Sequence, residues 1–317
     1  MSTRRRGLDV IERAYVVDIA VRDLDAAAET FSKILGIDGV RMDPAMDSSG
    51  ELDGVHFAVG GINALGLMTY KGEPDAKSRN YVSRFLAKYG DGIYLVGFLV
   101  PDLEGHTREL AERGINLMLP KPAPYAVGLL NLTSPNTTNG VMVEFAQHTD
   151  ANETPLWRKR YDDAKARRVK QAYVVDIAVA DLASAAETYS KLLDMEGIPM
   201  ATGMDQSAST EGMHFPVGGL YALGLMSPVG ARTGDAAKRF GGYLDAHGGD
   251  GGALLGFLVD DIDQTQSDLE ALGVEFMHEK PLSYAVGRLN ITRPIHGVML
   301  EFAQHDADAY DRWRSGS

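Results

Sequence analysis

The chain has 317 residues, of which 44% are hydrophobic, and a formal net charge of −13. This length allows two or three domains with a large buried core. Because the chain has no cysteine, a disulfide framework and a thiolate zinc site are excluded. The acidic balance, with no basic stripe, argues against nucleic acid as a partner. No apolar run is long enough to span a membrane and no apolar signal segment is present, so we expect a cytoplasmic protein.

The first predicted element is the strand AYVVDIAV (14–21), which is rich in β-branched residues and alternates with period two. Asp23 predicts the start of a helix whose apolar residues keep helical spacing as far as Leu35. The segments VHFAV and INALGLM, on either side of Gly60 and Gly61, predict a strand hairpin. We interpret this segment as a βαβββ module, of whose four strands these patterns indicate three.

A second module follows in the same order. A helix near 81–89 precedes the strand YLVGFLV (94–100). Asp102 predicts the start of a further helix, and Gly114 predicts its end. Three more strands are predicted near 115–119, near 127–133 and at 141–147.

Both modules occur twice in the chain. Residues 14–35 and 172–193 are identical at 17 of 22 positions, and GVMVEFAQH (140–148) returns as GVMLEFAQH (297–305). An internal repeat of this length indicates a duplicated domain. We therefore predict an α+β chain with domains at 8–149 and 171–308. A charged linker at 150–170 joins them, and we expect its Trp157 to pack on one of the halves.

The repeated pattern resembles the vicinal oxygen chelate superfamily, which includes glyoxalase I and the extradiol dioxygenases. The segments RFLAKYGDGIYLVGFLVPDLEGHTRELAERGINLM (84–118) and NGVMVEFAQ (139–147) are most similar to methylmalonyl-CoA epimerase-like domains. The resemblance implies four βαβββ modules that form two tandem half-barrel domains. In this superfamily each half-barrel holds a divalent metal, with ligands from the first and last strands of its modules.

We place the superfamily's metal-ligand positions on this sequence. The resemblance then implies that most of the metal site is lost. The ligand positions of the first domain hold Val16, Gly66, Leu95 and Glu144, and those of the second hold Val174, Gly224, Leu254 and Glu301. Of these residues, only the glutamates have side chains that coordinate metals, and a single ligand does not hold a divalent ion.

Strand alternation gives a second interpretation of the cavity. One face of the first strand carries Tyr15, Val17, Ile19 and Val21, and the other carries Val16, Asp18 and Ala20. The ligand position lies on the second face, so we expect Asp18 to point into the cavity with Glu144. The repeat predicts the same for Asp176 with Glu301. Paired buried carboxylates share a proton, and one pKa rises, which suits general acid–base catalysis.

Other residues are weaker candidates. His56 or His214 could complete a variant divalent-metal site with the aspartate and glutamate of its own half. The repeated tyrosines and asparagines could bind a substrate, and they are Tyr125, Tyr284, Asn131 and Asn290. A purely structural role is open for each of them. His148 and His305 end the last strand of each half and are expected at the cavity rim.

Three functions remain open from the sequence. The first is an epimerase, isomerase or lyase that moves a proton on a small enolisable carbonyl compound or acyl thioester. The second is an extradiol-type dioxygenase, which shares the four-module architecture but needs histidines where Val16 and Leu95 stand. The third is a protein that binds and sequesters a small molecule without turnover. A monomer and a homodimer are both compatible with four modules.

Overall fold

The computed structural model describes residues 11–47, 49–200, 204, 209–229, 235–306 and 308. The predicted domain start at residue 8 lies outside them. The strands of the first half are β1 (Arg13–Ala20), β2 (Val40–Arg41), β3 (Leu52–Ala58), β4 (Ala64–Tyr70), β5 (Gly92–Leu99), β6 (Ala123–Tyr125), β7 (Gly128–Leu132) and β8 (Met142–His148). Its helices are α1 (Leu24–Leu35), α2 (Tyr81–Tyr89) and α3 (Leu103–Glu112).

The linker contains α4 (Glu153–Asp163), and the second half repeats the order of the first. Its strands are β9 (Gln171–Ala178), β10 (Ile198–Pro199), β11 (Thr210–Phe215), β12 (Ala222–Pro228), β13 (Gly251–Leu258), β14 (Leu282–Tyr284), β15 (Gly287–Ile291) and β16 (Met299–His305). Its helices are α5 (Leu182–Leu193), α6 (Asp235–His247) and α7 (Ile262–Ala271). The predicted α+β modules are therefore confirmed.

Each half forms one curved sheet from its two modules. The first half has the strand order β2-β3-β4-β1-β5-β8-β7-β6, and the second half has the corresponding order. Within a module the first and last strands are parallel, and the two modules join through antiparallel first strands. The two sheets meet where Ile93 of β5 pairs with Gly252 of β13.

The helices begin where the sequence predicts. Asp23 and Asp102 each accept a hydrogen bond from a backbone N–H of the first helical turn, as do Asp181 and Asp261 in the second half. Such side-chain caps satisfy amide groups that have no partner within the helix. The repeated aspartates thus fix how each helix leaves its strand.

The predicted strand near 115–119 is wrong. This segment forms only an isolated bridge between Leu117 and Thr133, and β6 lies further along the chain. The second half has the same isolated bridge, between Phe276 and Thr292. The Asn131 side chain binds both the N–H and the C=O of Leu119 instead.

The outer faces of both sheets and the helices share one apolar core. The inner faces form two separate concave surfaces. The first cup is lined by Val16, Ala20, Leu95, Met142 and Ala146. The second cup is lined by Val174, Ala178, Leu254, Met299 and Ala303. Within the ranges given above, no helix has both the length and the apolar character needed to cross a membrane.

Candidate active site

A tyrosine hydroxyl binds a glutamate carboxylate in each cup. Glu144 lies on β8 between Met142 and Ala146, and its Oε1 accepts a hydrogen bond from Tyr15. In the second cup Tyr173 donates in the same way to Glu301, which is 9% exposed. The glutamates predicted to face the cavity therefore do so, and each has a fixed hydroxyl partner.

The prediction that Tyr15 faces away from the cavity is wrong. The register between β1 and β5 shifts between Ala14 and Val16, so Tyr15 and Val16 both line the first cup. A β-bulge of this kind adds one residue to a strand and breaks the period-two alternation. The same shift brings Tyr173 into the second cup. One feature of the sequence could have indicated a role for these tyrosines in the cups: both occur in the repeated segment AYVVDIAV.

A second bulge adds a tyrosine to the first cup alone. The register shifts again between Asp18 and Ile19, which leaves Tyr94 of β5 as the extra residue. The Tyr94 hydroxyl donates to Oδ2 of Asp18 at 3.3 Å. The equivalent residue in the second half is Ala253, so Asp176 lacks this hydroxyl.

The predicted aspartates lie in the cups beside a glycine of the neighbouring strand. Asp18 pairs with Gly66, and Asp176 pairs with Gly224. A Cβ atom on either glycine would overlap Oδ1 of the facing aspartate. The aspartate carboxylate thus fills the space that a side chain at the glycine would take. In both aspartates Oδ1 is buried and accepts no hydrogen bond from the described residues.

Burial and mutual repulsion change the acidity of these carboxyl groups. Burial raises the pKa of Asp18 to about 7, and the charge of Glu144 adds to the rise. Burial and the charge of Glu301 raise the pKa of Asp176 to about 8. Burial also raises the pKa of both glutamates, although the tyrosine hydrogen bond opposes this rise. Each aspartate is therefore able to hold a proton near neutral pH.

The histidines of the hairpin strands are neutral and lie close to the aspartates. Cδ2 of His56 lies 3.0 Å from the Cβ position of Gly66, and Cδ2 of His214 lies 3.3 Å from that of Gly224. Burial lowers the pKa of each histidine to about 4. The His56 ring packs edge-on against Trp157, with 5.9 Å between the ring centres.

The side chains in the cups do not fit a divalent metal ion. Three of the four family positions in each half carry no donor, and the remaining glutamate already accepts a hydrogen bond from a tyrosine. No group of three or more histidine, aspartate or glutamate side chains suited to a metal was found among the residues that the structure describes. The hypothesis of a variant site built from Asp18, His56 and Glu144, or from Asp176, His214 and Glu301, is therefore not supported.

The repeated tyrosines and asparagines lie on opposite faces of the sheet. Tyr125 lies beside Tyr15 in the first cup, and Tyr284 lies beside Tyr173 in the second. The Tyr284 hydroxyl is 2.5 Å from Nε2 of His305, which ends β16 as expected for a rim residue. These tyrosines remain candidates for substrate binding.

Asn131 and Asn290 do not line the cups. Asn131 pairs with Phe145, and Asn290 pairs with Phe302, on the face that packs into the shared core. Both asparagines are fully buried, and their amides bind backbone or side-chain groups of the adjoining loops and helices. The prediction that they bind a substrate is not supported, because period two places them opposite the cup.

The linker helix α4 covers part of the first cup. Trp157 packs with the apolar residues of that cup and against His56. Glu153 lies 3.1 Å from Nδ1 of His148 and accepts a hydrogen bond from Asn63 at 3.1 Å. These contacts confirm the prediction that Trp157 packs on one of the two halves.

The second cup contains an open cavity of about 360 Å³. Asp176, Glu301, His214 and Tyr284 all line it. So does Arg239 of α6, whose charge acts on both acidic residues. Sequence reasoning missed this arginine, although the pair Arg-Phe occurs in both halves. In the first half Arg84 donates to the backbone carbonyls of Ser78 and Arg79 instead.

Two family models match the chain, one over residues 17–130 and the other over residues 170–302. Both carry the description "Glyoxalase/Bleomycin resistance protein/Dioxygenase superfamily". Together they span most of both halves. A comparison with curated proteins gave no significant match.

Solved structures share the fold over different lengths. A 4-hydroxymandelate synthase variant from Streptomyces coelicolor is 16% identical, with 97% of each chain covered and a TM-score of 0.66. A xylose isomerase-like TIM barrel/4-hydroxyphenylpyruvate dioxygenase fusion protein is 12% identical over 95% of this chain and 50% of its own, with a TM-score of 0.60. Methylmalonyl-CoA epimerase from Mycobacterium tuberculosis is 24% identical over 46% of this chain and 94% of its own, with a TM-score of 0.39. At these identities the likeness extends to the fold alone.

Proposed function

Because the chain belongs to the glyoxalase/bleomycin resistance protein/dioxygenase superfamily, we propose that it uses this fold for proton transfer without the usual metal. The substrate is a small carbonyl compound or acyl thioester with an acidic C–H next to its carbonyl group. The reaction is an epimerisation, an isomerisation or a related elimination, and it takes place in the second cup.

One observation carries this proposal. Two buried carboxyl groups, Asp176 and Glu301, line the same cavity of about 360 Å³, and the pKa of Asp176 is raised to about 8. An acid and a base in one cavity are what proton transfer next to a carbonyl requires. Apolar side chains such as Val174 and Leu254 line the same cavity.

The two acids take different roles in this scheme. Glu301, whose carboxylate accepts a hydrogen bond from the Tyr173 hydroxyl, acts as the base and removes the proton from carbon. The electron pair of the broken C–H bond moves to the carbonyl oxygen and forms an enolate. Asp176 is protonated below about pH 8 and returns a proton to the enolate. Return to the opposite face of the carbon gives the epimer.

The proposal is tested by solvent exchange, which detects enolisation without knowledge of the natural substrate. The protein is incubated in D₂O with 2-oxobutanoate, 4-phenyl-2-oxobutanoate and an N-acetylcysteamine thioester of a 2-substituted malonate. Proton NMR then follows the loss of the signal next to the carbonyl group. We expect Glu301→Gln and Asp176→Asn each to lower the exchange rate by about a hundredfold or more. Full exchange in both variants and in the double variant, with the fold kept, would overturn the proposal.

A protein that only sequesters a small molecule is the second candidate. The observation in its favour is that Val174 and Leu254, which stand at two of the family ligand positions, line the cavity with apolar side chains. Such a protein would bind one or more of the three carbonyl compounds named above without deuterium exchange. Glu301→Gln would leave the affinity unchanged. The exchange experiment therefore separates the two candidates directly.

A further inference from the structure

Arg239 lines a second cavity in addition to the second cup. This junction cavity has a volume of about 430 Å³ and lies between the two halves. Tyr89 and Asp91 contribute to it from the first half, and Tyr243, His247 and Met299 contribute from the second. Because one arginine lines both spaces, both lie within reach of its side chain.

The arginine is suited to an anionic group. Its charge lowers the pKa of Asp176 and Glu301 against the effect of burial, so it lies close to the reacting acids. A guanidinium group binds a carboxylate or a phosphate through two parallel hydrogen bonds. Lys238, which precedes it, adds a second positive charge at the junction cavity.

The junction cavity has a flat aromatic wall. The His247 ring is stacked between Tyr89, at 4.0 Å and 7°, and Tyr243, at 4.8 Å and 19°. The Tyr243 hydroxyl and Nε2 of His247 are buried and have no hydrogen-bond partner among the described residues. Both atoms point toward Gly251, within 2.6 and 2.7 Å of its Cβ position. The ring stack itself gives the cavity an aromatic wall against which a flat apolar group can pack.

We infer that the second cup and the junction cavity bind one elongated, anionic substrate. Its enolisable carbonyl lies at Asp176 and Glu301, its anionic group pairs with Arg239, and a flat apolar part extends along the His247 wall. The inference rests on the proposed function for the position of the carbonyl group. Beyond the proposed function, the inference specifies the charge and the shape of the substrate.

Calorimetry with three probes tests charge and shape separately from catalysis. The probes are 4-phenyl-2-oxobutanoate, its methyl ester, which has no charge, and 2-oxobutanoate, which has no flat part. We expect the phenyl acid to bind about tenfold more tightly than either of the others. Arg239→Met should weaken binding of both acids about tenfold and leave binding of the ester unchanged.

A steric variant tests the junction cavity. Gly242 of α6 lines it, and a Cβ atom there meets nothing within 4 Å. Leucine favours a helix more than glycine, so Gly242→Leu should fold and fill the cavity. The affinity advantage of the phenyl acid over 2-oxobutanoate should then disappear. Arg84→Met, which changes the corresponding arginine of the first half, is the matched control and should leave all three affinities unchanged.

The outcomes separate the two proposals. If Arg239→Met binds both acids normally, or if Gly242→Leu keeps the advantage of the phenyl group, the inference is wrong even when deuterium exchange occurs. If both variants behave as expected but no probe exchanges deuterium, the binding inference stands and the proposed proton transfer fails.

Discussion

The two cups keep the same acids but differ, among the described residues, in the side chains beside these acids. Each has a tyrosine bound to a glutamate and an aspartate that fills the space beside a glycine. The first cup is covered in part by α4, and its aspartate accepts a hydrogen bond from Tyr94. In the second cup Arg239 lines the cavity that also contains the acids. Duplication therefore preserved the carboxylates while the charge beside them diverged, which favours the second cup as the catalytic one.

The largest effect should come from changing the two glutamates separately. Glu301→Gln removes the proposed base and should lower deuterium exchange about a hundredfold or more. Glu144→Gln makes the same chemical change in the covered cup and should retain most of the exchange. Both proteins are compared by NMR exchange rates and by thermal melting. Equal losses in the two variants would mean that both cups react, and the contrast between them would be wrong.

Substitution of the glycine beside each aspartate provides a second comparison of the two cups. Gly224→Ala forces Asp176 out of its position, and Gly66→Ala does the same to Asp18. Both changes crowd a packed strand and should lower the free energy of unfolding by about 1–3 kcal/mol. Only Gly224→Ala should also reduce exchange, by about tenfold or more, because only it displaces the proposed acid. Chemical denaturation and exchange rates of the two variants measure the two effects side by side.

Much of this architecture follows from the sequence, because duplication and local capping are visible in it. The strands, the capping aspartates and the cavity position of Asp18 and Glu144 all depend on local patterns that the fold keeps. The facing of Tyr15 depends on a bulge, which adds one residue without any change in composition. The role of Arg239 depends on how α6 packs over the cup, and Arg84 shows that the same Arg-Phe pair can point elsewhere.

The raised aspartate pKa values predict how stability depends on pH. Between about pH 4 and the raised pKa, the folded protein holds a proton that the unfolded chain has released, so stability falls as the pH rises. The fall should end near pH 7 for Asp18 and near pH 8 for Asp176. One such proton changes the free energy of unfolding by about 1.4 kcal/mol per pH unit.

Two variants test the contribution of each aspartate. Asp176→Asn and Asp18→Asn should each flatten part of the loss of stability between pH 5 and the raised pKa of the aspartate that is replaced. Urea denaturation at pH 5, 6, 7, 8 and 9 measures the slopes of both variants and the original protein. Identical slopes in all three proteins would contradict the raised pKa values of the aspartates.

The smallest expected effect concerns the cover of the first cup. Burial lowers the pKa of His56 to about 4, and Trp157 forms part of the surface that buries it. Trp157→Ala should admit water to this ring and raise its pKa toward the ordinary value of about 6.5. His214 of the second cup, whose pKa is also about 4, does not contact this tryptophan and provides the internal control. An NMR titration of the histidine ring protons follows both residues in one sample. A shift of His56 alone would show that α4 separates the first cup from solvent, and an unchanged His56 would mean that the strands bury it without the helix. In the first case the linker limits solvent access to the first cup, and in the second the described difference between the cups depends on Arg239 and Tyr94 alone.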